Sequence, residues 1–79
     1  MLTVEEYIVV MIAFKNRYLE PCTRMKIIAE ESRIPLQRVI IILDIVKALG
    51  CIYEGKCGLE MSDLWYKSYV KYYDVENKD

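Results

Sequence analysis

The segment between Pro35 and Gly50 constrains the fold more than any other part of the sequence. Proline suits the first position of a helix, because its missing N–H needs no partner there. Glycine suits the left-handed residue that follows the end of a helix. The residues between them, LQRVIIILDIVKAL, therefore predict a helix that ends at Leu49. A tight turn, Ser32-Arg33-Ile34, is predicted immediately before it.

An earlier helix is predicted from Val4 to about Tyr18. The Thr3 hydroxyl can cap its start, and Glu6, three residues later, completes the pattern of a capping box. The middle of this helix, YIVVMIAF, is apolar on every side, which is typical of a helix that is buried all round. In so small a chain, one face is expected to meet the core and the other a second subunit.

The stretch between these two helices predicts a short strand and another helix. Pro21 should end the first helix, and the extended stub Leu19–Cys22 predicts the strand. Thr23 can then cap a second helix, which is predicted over Arg24–Glu31.

A β-hairpin and a last helix are predicted after Gly50. Two short strands, Cys51–Glu54 and Leu59–Met61, flank the sequence GKCG, and two glycines in such a connection are a strong hairpin signal. Ser62 can cap a last helix over Asp63 to about Tyr73. The chain then ends in a polar tail, 74–79.

The apolar content predicts a homodimer. A chain of 79 residues has room for one domain, yet 54% of its residues are hydrophobic, against roughly 45–50% in an ordinary globular protein. Small proteins often gain the missing burial by oligomerising. The first and last helices supply the predicted dimer interface: Tyr7, Val10, Met11, Phe14, Trp65, Tyr69 and Tyr72.

Targeting signals and cysteine usage predict a cytoplasmic protein. No secretory signal is evident, and the longest apolar run, Tyr7–Phe14, is far shorter than the roughly 20 residues that cross a bilayer. The composition, with one Gln, two Asn and many charged residues, is typical of a hyperthermophilic source. Intracellular disulfides occur in such organisms, so Cys22 and Cys51 are a candidate pair, against the alternative that all three cysteines are small buried hydrophobic residues.

No enzyme chemistry is predicted. The sequence contains no histidine, no glycine-rich phosphate loop and no carboxylate pair placed in an evident cleft. We therefore expect no catalytic residue, no metal site, no cofactor and no small-molecule ligand.

The segment Thr23–Ile52 resembles the helix-turn-helix of winged-helix transcription regulators, such as the small dimeric ones of hyperthermophilic archaea and their viruses. Ala29 matches the small residue where the second helix faces the third, and Ile34 the apolar residue after the turn. The matching inner positions of the third helix are Val39, Ile42, Leu43, Val46 and Leu49. The resemblance implies one mainly α-helical domain over 1–79, with a helix-turn-helix at 23–49, a hairpin wing at 51–61, a C-terminal helix at 62–73 and the tail. Its order is helix, short strand, helix, helix, two-stranded wing, helix.

The resemblance also implies sequence-specific binding of double-stranded DNA. In such proteins the third helix enters the major groove, where Gln37 would pair with adenine and Arg38 with guanine. The wing would bring Lys56 to the backbone or the minor groove. Arg33 stands where many relatives have glycine, in left-handed geometry. The implied DNA-binding residues are Arg24, Lys26, Arg33, Leu36, Gln37, Arg38, Ile41 and Lys56.

A second hypothesis is a winged-helix module for protein–protein contact without DNA binding. The third helix contains the run VIIILDIV, in which Ile40, Ile41 and Ile45 replace the polar or basic residues of typical relatives. Contacts to thymine methyl groups would account for one of these isoleucines, but not for all three. The net charge of −1 and the pI of about 5.4 also favour this alternative.

Overall fold

The computed structural model describes residues 2–67. Over this range three α-helices precede a two-stranded antiparallel hairpin, and a further helix begins after it. The mainly helical chain with a small hairpin is thus confirmed. The elements are α1 Val4–Lys15, α2 Pro21–Ser32, α3 Leu36–Ala48, β1 Ile52–Gly55, β2 Gly58–Met61 and α4 Asp63–Trp65.

Helix α1 starts as predicted and ends earlier than predicted. The Glu6 backbone N–H donates to the Thr3 hydroxyl at 3.1 Å, and the Thr3 N–H donates to the Glu6 carboxylate at 2.9 Å, which is the predicted capping box. The helix stops at Lys15 because Asn16 turns away from helical geometry, and its side-chain amide donates to the carbonyl oxygen of Ile12 at 2.8 Å. The predicted continuation to Tyr18 is wrong, since residues 16–18 form a turn.

The strand predicted at Leu19–Cys22 is also wrong. Pro21 is the first residue of α2, with Glu20 as the N-cap, because proline has the φ of a helix and needs no partner for a missing N–H. Thr23 therefore lies inside α2 instead of capping it. The backbone N–H of Leu59 donates to the carbonyl oxygen of Arg17 at 2.9 Å, so a hydrogen bond joins the α1–α2 turn to the hairpin.

The turn between α2 and α3 has the predicted left-handed residue. Arg33 has φ 61° and ψ 23°, a conformation that disfavours residues with a Cβ by about 1–2 kcal/mol. The Ser32 hydroxyl donates to the Ile28 carbonyl and accepts from the Ile34 backbone N–H, which holds the turn. Pro35 is the N-cap of α3 instead of its first residue, a difference of one position.

The hairpin forms as the two glycines predict. Ile52 pairs with Met61 and Gly55 with Gly58, so that Lys56 and Cys57 alone form the connection. Gly58 has φ +127°, and a Cβ there would collide with the carbonyl oxygen of Arg17. The glycine is therefore required where the hairpin packs against the α1–α2 turn.

The core lies between the three helices and the inner side of the hairpin. Its buried members are Val9, Val10, Ala13, Ile28, Val39, Ile42, Leu43, Val46, Cys51, Ile52, Leu59 and Met61. Four of the five inner positions predicted for the third helix are among them, but Leu49 is 56% exposed, because it follows the end of α3 and precedes the left-handed Gly50. Ala29 and Ile34 pack against the edge of this core. None of the helices described here is long and apolar enough to span a bilayer.

The contact between Gly58 and Arg17 generates a stability prediction. Gly58→Ala should lower the free energy of unfolding by about 1–3 kcal/mol, the usual range for a side chain forced into such backbone geometry. Gly55→Ala is the control, because its Cβ would meet only the side chain of the exposed Glu60, which can move away. Urea unfolding followed by circular dichroism measures both. Equal losses of stability in the two variants would contradict the assigned packing.

Candidate nucleic-acid interface

Arg24, expected to contact phosphates, is buried instead. Its side chain is only 4% exposed. The guanidinium donates to both carboxylate oxygens of Glu54 in β1, with Nη1 at 2.7 Å from Oε2 and Nη2 at 3.2 Å from Oε1. This two-point geometry is the strongest form of an arginine–carboxylate pair. The predicted phosphate role of Arg24 is therefore wrong.

The Arg24–Glu54 pair lies where three secondary-structure elements and one turn meet. Nη2 of Arg24 also donates to the carbonyl oxygens of Leu19 at 2.9 Å and Arg17 at 3.5 Å. The ammonium group of Lys47, in the last turn of α3, lies 3.7 Å from Oε2 of Glu54. We name Arg24, Glu54 and Lys47 the ionic clamp. It links α2, β1, the α1–α2 turn and α3.

Sequence reasoning missed this clamp, although one signal pointed to it. Arg24 lies four residues before Ile28, and positions four apart share a face of a helix. Since Ile28 is fully buried, the same face carries Arg24 towards the core. The guanidinium Nε is buried and has no hydrogen-bond partner among residues 2–67, which offsets part of the stabilisation from the other contacts.

Arg38, expected to contact guanine, is exposed but paired. Its Nε donates to Oε1 of Glu5 in α1 at 2.8 Å, and both side chains remain about half exposed to solvent. An exposed pair of this kind contributes only about 0–1 kcal/mol. The pair ties the first turns of α1 and α3 together and directs the guanidinium towards α1.

The other residues predicted on the recognition helix are at the surface. Leu36, Gln37 and Ile41 are all exposed in the first two turns of α3. Leu36 and Ile41 belong to a set of five exposed aliphatic residues on α3 and at its C-cap, which are between 39% and 56% exposed: Leu36, Ile40, Ile41, Ile45 and Leu49. The outer side of α3 is therefore more apolar than basic.

Three predicted cationic residues remain available to an anionic partner. Lys26 in α2, Arg33 in the α2–α3 turn and Lys56 in the hairpin connection are exposed. None of the three forms an ion pair within the described part of the chain. These exposed, unpaired cations thus lie on α2, in the α2–α3 turn and in the hairpin connection, and not on α3.

The predicted dimer residues have mixed positions. Val10 is 1% exposed and belongs to the core of the single chain, so its assignment to an interface is wrong. Met11, Phe14 and Trp65 are half-buried against that core, with the Phe14 ring edge-on to Tyr66 at 6.1 Å between centroids. Tyr7 is half-buried as well. The predictions for Tyr69 and Tyr72, and for the helix beyond residue 67, lie outside the described residues.

The candidate disulfide between Cys22 and Cys51 is not formed. All three cysteines are free thiols; Cys22 and Cys57 are exposed, and Cys51 is fully buried. Burial raises the pKa of the Cys51 thiol to about 11, because a thiolate would lose its solvation. The thiol therefore stays protonated at neutral pH and serves as a small hydrophobic residue of the core.

No other chemistry stands out in residues 2–67. Within that range no three cysteine or carboxylate side chains are grouped to hold a metal ion. A shallow cleft between the α1–α2 turn and the hairpin contains the Arg17 guanidinium between the rings of Phe14 and Tyr18, 4.6 Å and 4.7 Å from their centroids. In this cleft the arginine is stacked, not presented to a ligand.

In comparisons with protein-family models, with curated proteins and with solved structures, nothing matches this chain.

The ionic clamp predicts a specific pH dependence of stability. The hydrogen bond from Arg24 lowers the pKa of the Glu54 carboxyl, against the opposing effect of its partial burial. Because the pKa is lower in the folded state, the resulting stabilisation is complete above the unfolded pKa of about 4.3 and is lost as the pH falls through the folded value. The urea concentration at the unfolding midpoint should therefore decrease as the pH is lowered below about 5. This decrease should be smaller in Glu54→Gln.

At neutral pH Glu54→Gln should be less stable than the wild type by about 1–2 kcal/mol, because the partly exposed residue 54 no longer offers a negative charge to the buried Arg24 guanidinium. Glu60→Gln makes the same change on the exposed side of β2 and should leave both stability and pH profile near those of the wild type. Identical profiles for the two variants would refute the clamp.

Proposed function

We propose that the chain is a winged-helix protein that binds double-stranded DNA as a homodimer and catalyses no reaction. The observation that carries this proposal is the position of α3. It follows a tight left-handed turn at Arg33, exposes Leu36, Gln37 and Ile41 in its first two turns, and is followed by a hairpin whose connection presents Lys56. In this proposal the hairpin is the wing.

Contacts to DNA come from α3 and from the cations around it. The first two turns of α3 enter the major groove, as the second helix of a helix-turn-helix does, and place Gln37 and Ile41 at the base edges. Lys26, Arg33 and Lys56 contact phosphates, which position the protein without selecting a sequence. Arg24 has a different role here, because it holds the wing against α2 and α3.

The dimer forms through exposed aliphatic side chains outside the DNA-contacting turns. Ile45 and Leu49, at the end of α3 away from those turns, are exposed apolar residues. They take the place of the buried Val10 in the proposed interface. A chain this small buries only about 60–65% of its unfolded surface, so covering these side chains adds needed apolar burial. The pairing leaves Leu36, Gln37 and Ile41 free for DNA.

Salt dependence tests the DNA contacts. Fluorescence anisotropy with labelled duplexes should show log affinity falling linearly with log salt, with a slope of about −0.9 for each phosphate contacted. Lys56→Ala should weaken binding to every duplex and make that slope shallower by about 0.9 for each phosphate that is no longer neutralised. Lys15→Ala is the control, because Lys15 is an exposed cation at the end of α1 outside the proposed interface. Absence of duplex binding at low salt would refute the proposal.

Light scattering tests the dimer. The wild type at micromolar concentration should have twice the chain mass of 9.4 kDa. Ile45→Glu should shift the protein towards monomer, because a carboxylate would lose solvation at the interface. Ile41→Glu, one turn earlier on α3, should remain dimeric. A monomeric wild type, or equal dissociation of both variants, would rule out this interface.

The aliphatic surface of α3 favours a second candidate, a module for protein–protein contact. Arg38 is paired with Glu5 and Arg24 is buried, which removes two cations from the proposed DNA interface. Large exposed apolar patches on small proteins commonly mark sites of protein contact. This candidate would be favoured if light scattering shows a dimer and fluorescence anisotropy shows no binding to any duplex.

A further inference from the structure

The first two turns of α3 have an unusual set of side chains for a major-groove contact. Leu36, Ile40 and Ile41 are exposed aliphatic residues, and Gln37 is the exposed amide among them. The guanidinium of Arg38 is engaged by Glu5 at 2.8 Å. These turns therefore present three apolar groups and one amide, but no unpaired cation.

Base edges in the major groove differ in the groups they offer to such a surface. The C5 methyl of thymine is the one apolar group, and the N6 and N7 atoms of adenine form the paired hydrogen bonds with a glutamine amide. Guanine presents two acceptors, which arginine or lysine usually contacts. The exposed chemistry of α3 thus matches thymine and adenine.

Electrostatics limits the contact to these first two turns. Asp44 is exposed in the following turn, and a carboxylate close to the phosphates is repelled. Lys47 lies beyond it, 3.7 Å from Glu54, in the ionic clamp. No other cation of α3 is therefore free to contact guanine.

We infer that α3 selects A·T base pairs, with Ile41 contacting thymine methyl groups and Gln37 contacting adenine. This inference rests on the proposed DNA binding and names the sequence class that the same site accepts. Discrimination against G·C pairs follows from desolvation: an aliphatic side chain over the guanine acceptors or the cytosine amine leaves these polar groups without water or a partner.

The experiment starts by selecting the best-bound duplexes from a random pool with the full chain. Duplexes of about 24 base pairs hold two half-sites one helical turn apart. The selected half-sites should consist mainly of A·T pairs. The best duplex is then synthesised again with deoxyuridine in place of each thymidine in the half-sites, which removes the methyl groups and keeps both the base pairing and the minor-groove edge.

Affinity for the deoxyuridine duplex should fall about fourfold for each methyl group contacted, the factor that corresponds to about 0.8 kcal/mol per buried CH₂. A dimer in which each subunit contacts one methyl group should bind about fifteenfold more weakly on the same basis. A preference based on the narrow minor groove of A·T tracts would be unaffected, so the substitution separates methyl contact from recognition of DNA shape.

A variant cycle assigns the effect to α3. Ile41→Ala should bind the thymidine and deoxyuridine duplexes with nearly equal affinity, and its affinity for the deoxyuridine duplex should stay near that of the wild type. Ile41 is 51% exposed, so its truncation leaves the fold intact. Leu64→Ala removes an exposed aliphatic side chain of α4 and should retain the full difference between the two duplexes.

The outcomes separate this inference from the proposed function. Selection of G·C-rich sites, or equal wild-type affinity for the two duplexes, would overturn the inference while DNA binding stands. A wild-type difference that persists in Ile41→Ala would overturn the assignment to α3. Failure to bind any duplex at low salt would overturn both proposals.

Discussion

The pairing of Arg24 with Glu54 is the interaction on which the arrangement of helices and hairpin depends. Arg24 is the one charged residue buried within residues 2–67, and an isolated buried charge costs several kcal/mol. In this arrangement β1 and the α1–α2 turn supply the carboxylate and carbonyl oxygens that the guanidinium requires. A packing that buried Arg24 without these groups would leave the guanidinium unsatisfied. The ionic clamp therefore orients the hairpin relative to α3, which the small apolar core alone constrains less strictly.

This use of charge inside the molecule limits its electrostatic attraction for DNA. Glu54 engages Arg24 and Lys47, and Glu5 engages Arg38, so that three cations near α3 are compensated by carboxylates. With a net charge of −1, long-range steering of a polyanion is weak. The proposed binding of DNA therefore depends on short-range contacts from the exposed side of α3. For this reason the apolar character of that side matters more than it would in a strongly basic protein.

The parts of the fold that local residue chemistry determines are predictable from the sequence. The limits of α3, the left-handed Arg33 and the place of the hairpin follow, within one position, from proline, glycine and turn preferences. The hairpin connection has two residues where four were predicted, because Gly55 and Gly58 pair with each other. Contacts between distant segments are not predictable in this way. The burial of Arg24 depends on Glu54, thirty positions away, and periodicity with Ile28 is the sole local signal of it. The exposure of Leu36, Gln37 and Ile41 follows from the resemblance, whereas their contact with DNA remains a prediction.

Helix α3 separates the requirements of folding from those of binding. Val39, Ile42, Leu43 and Val46 close the core from one side of the helix, and the exposed aliphatic residues lie on the other side. Half-exposed isoleucines contribute less to folding than buried ones, because much of their surface stays in water. Changes at Ile40, Ile41 or Ile45 should therefore alter a partner's affinity more than they alter stability. Substitutions on the outer surface of α3 leave in place the core and the ionic clamp that hold the helix.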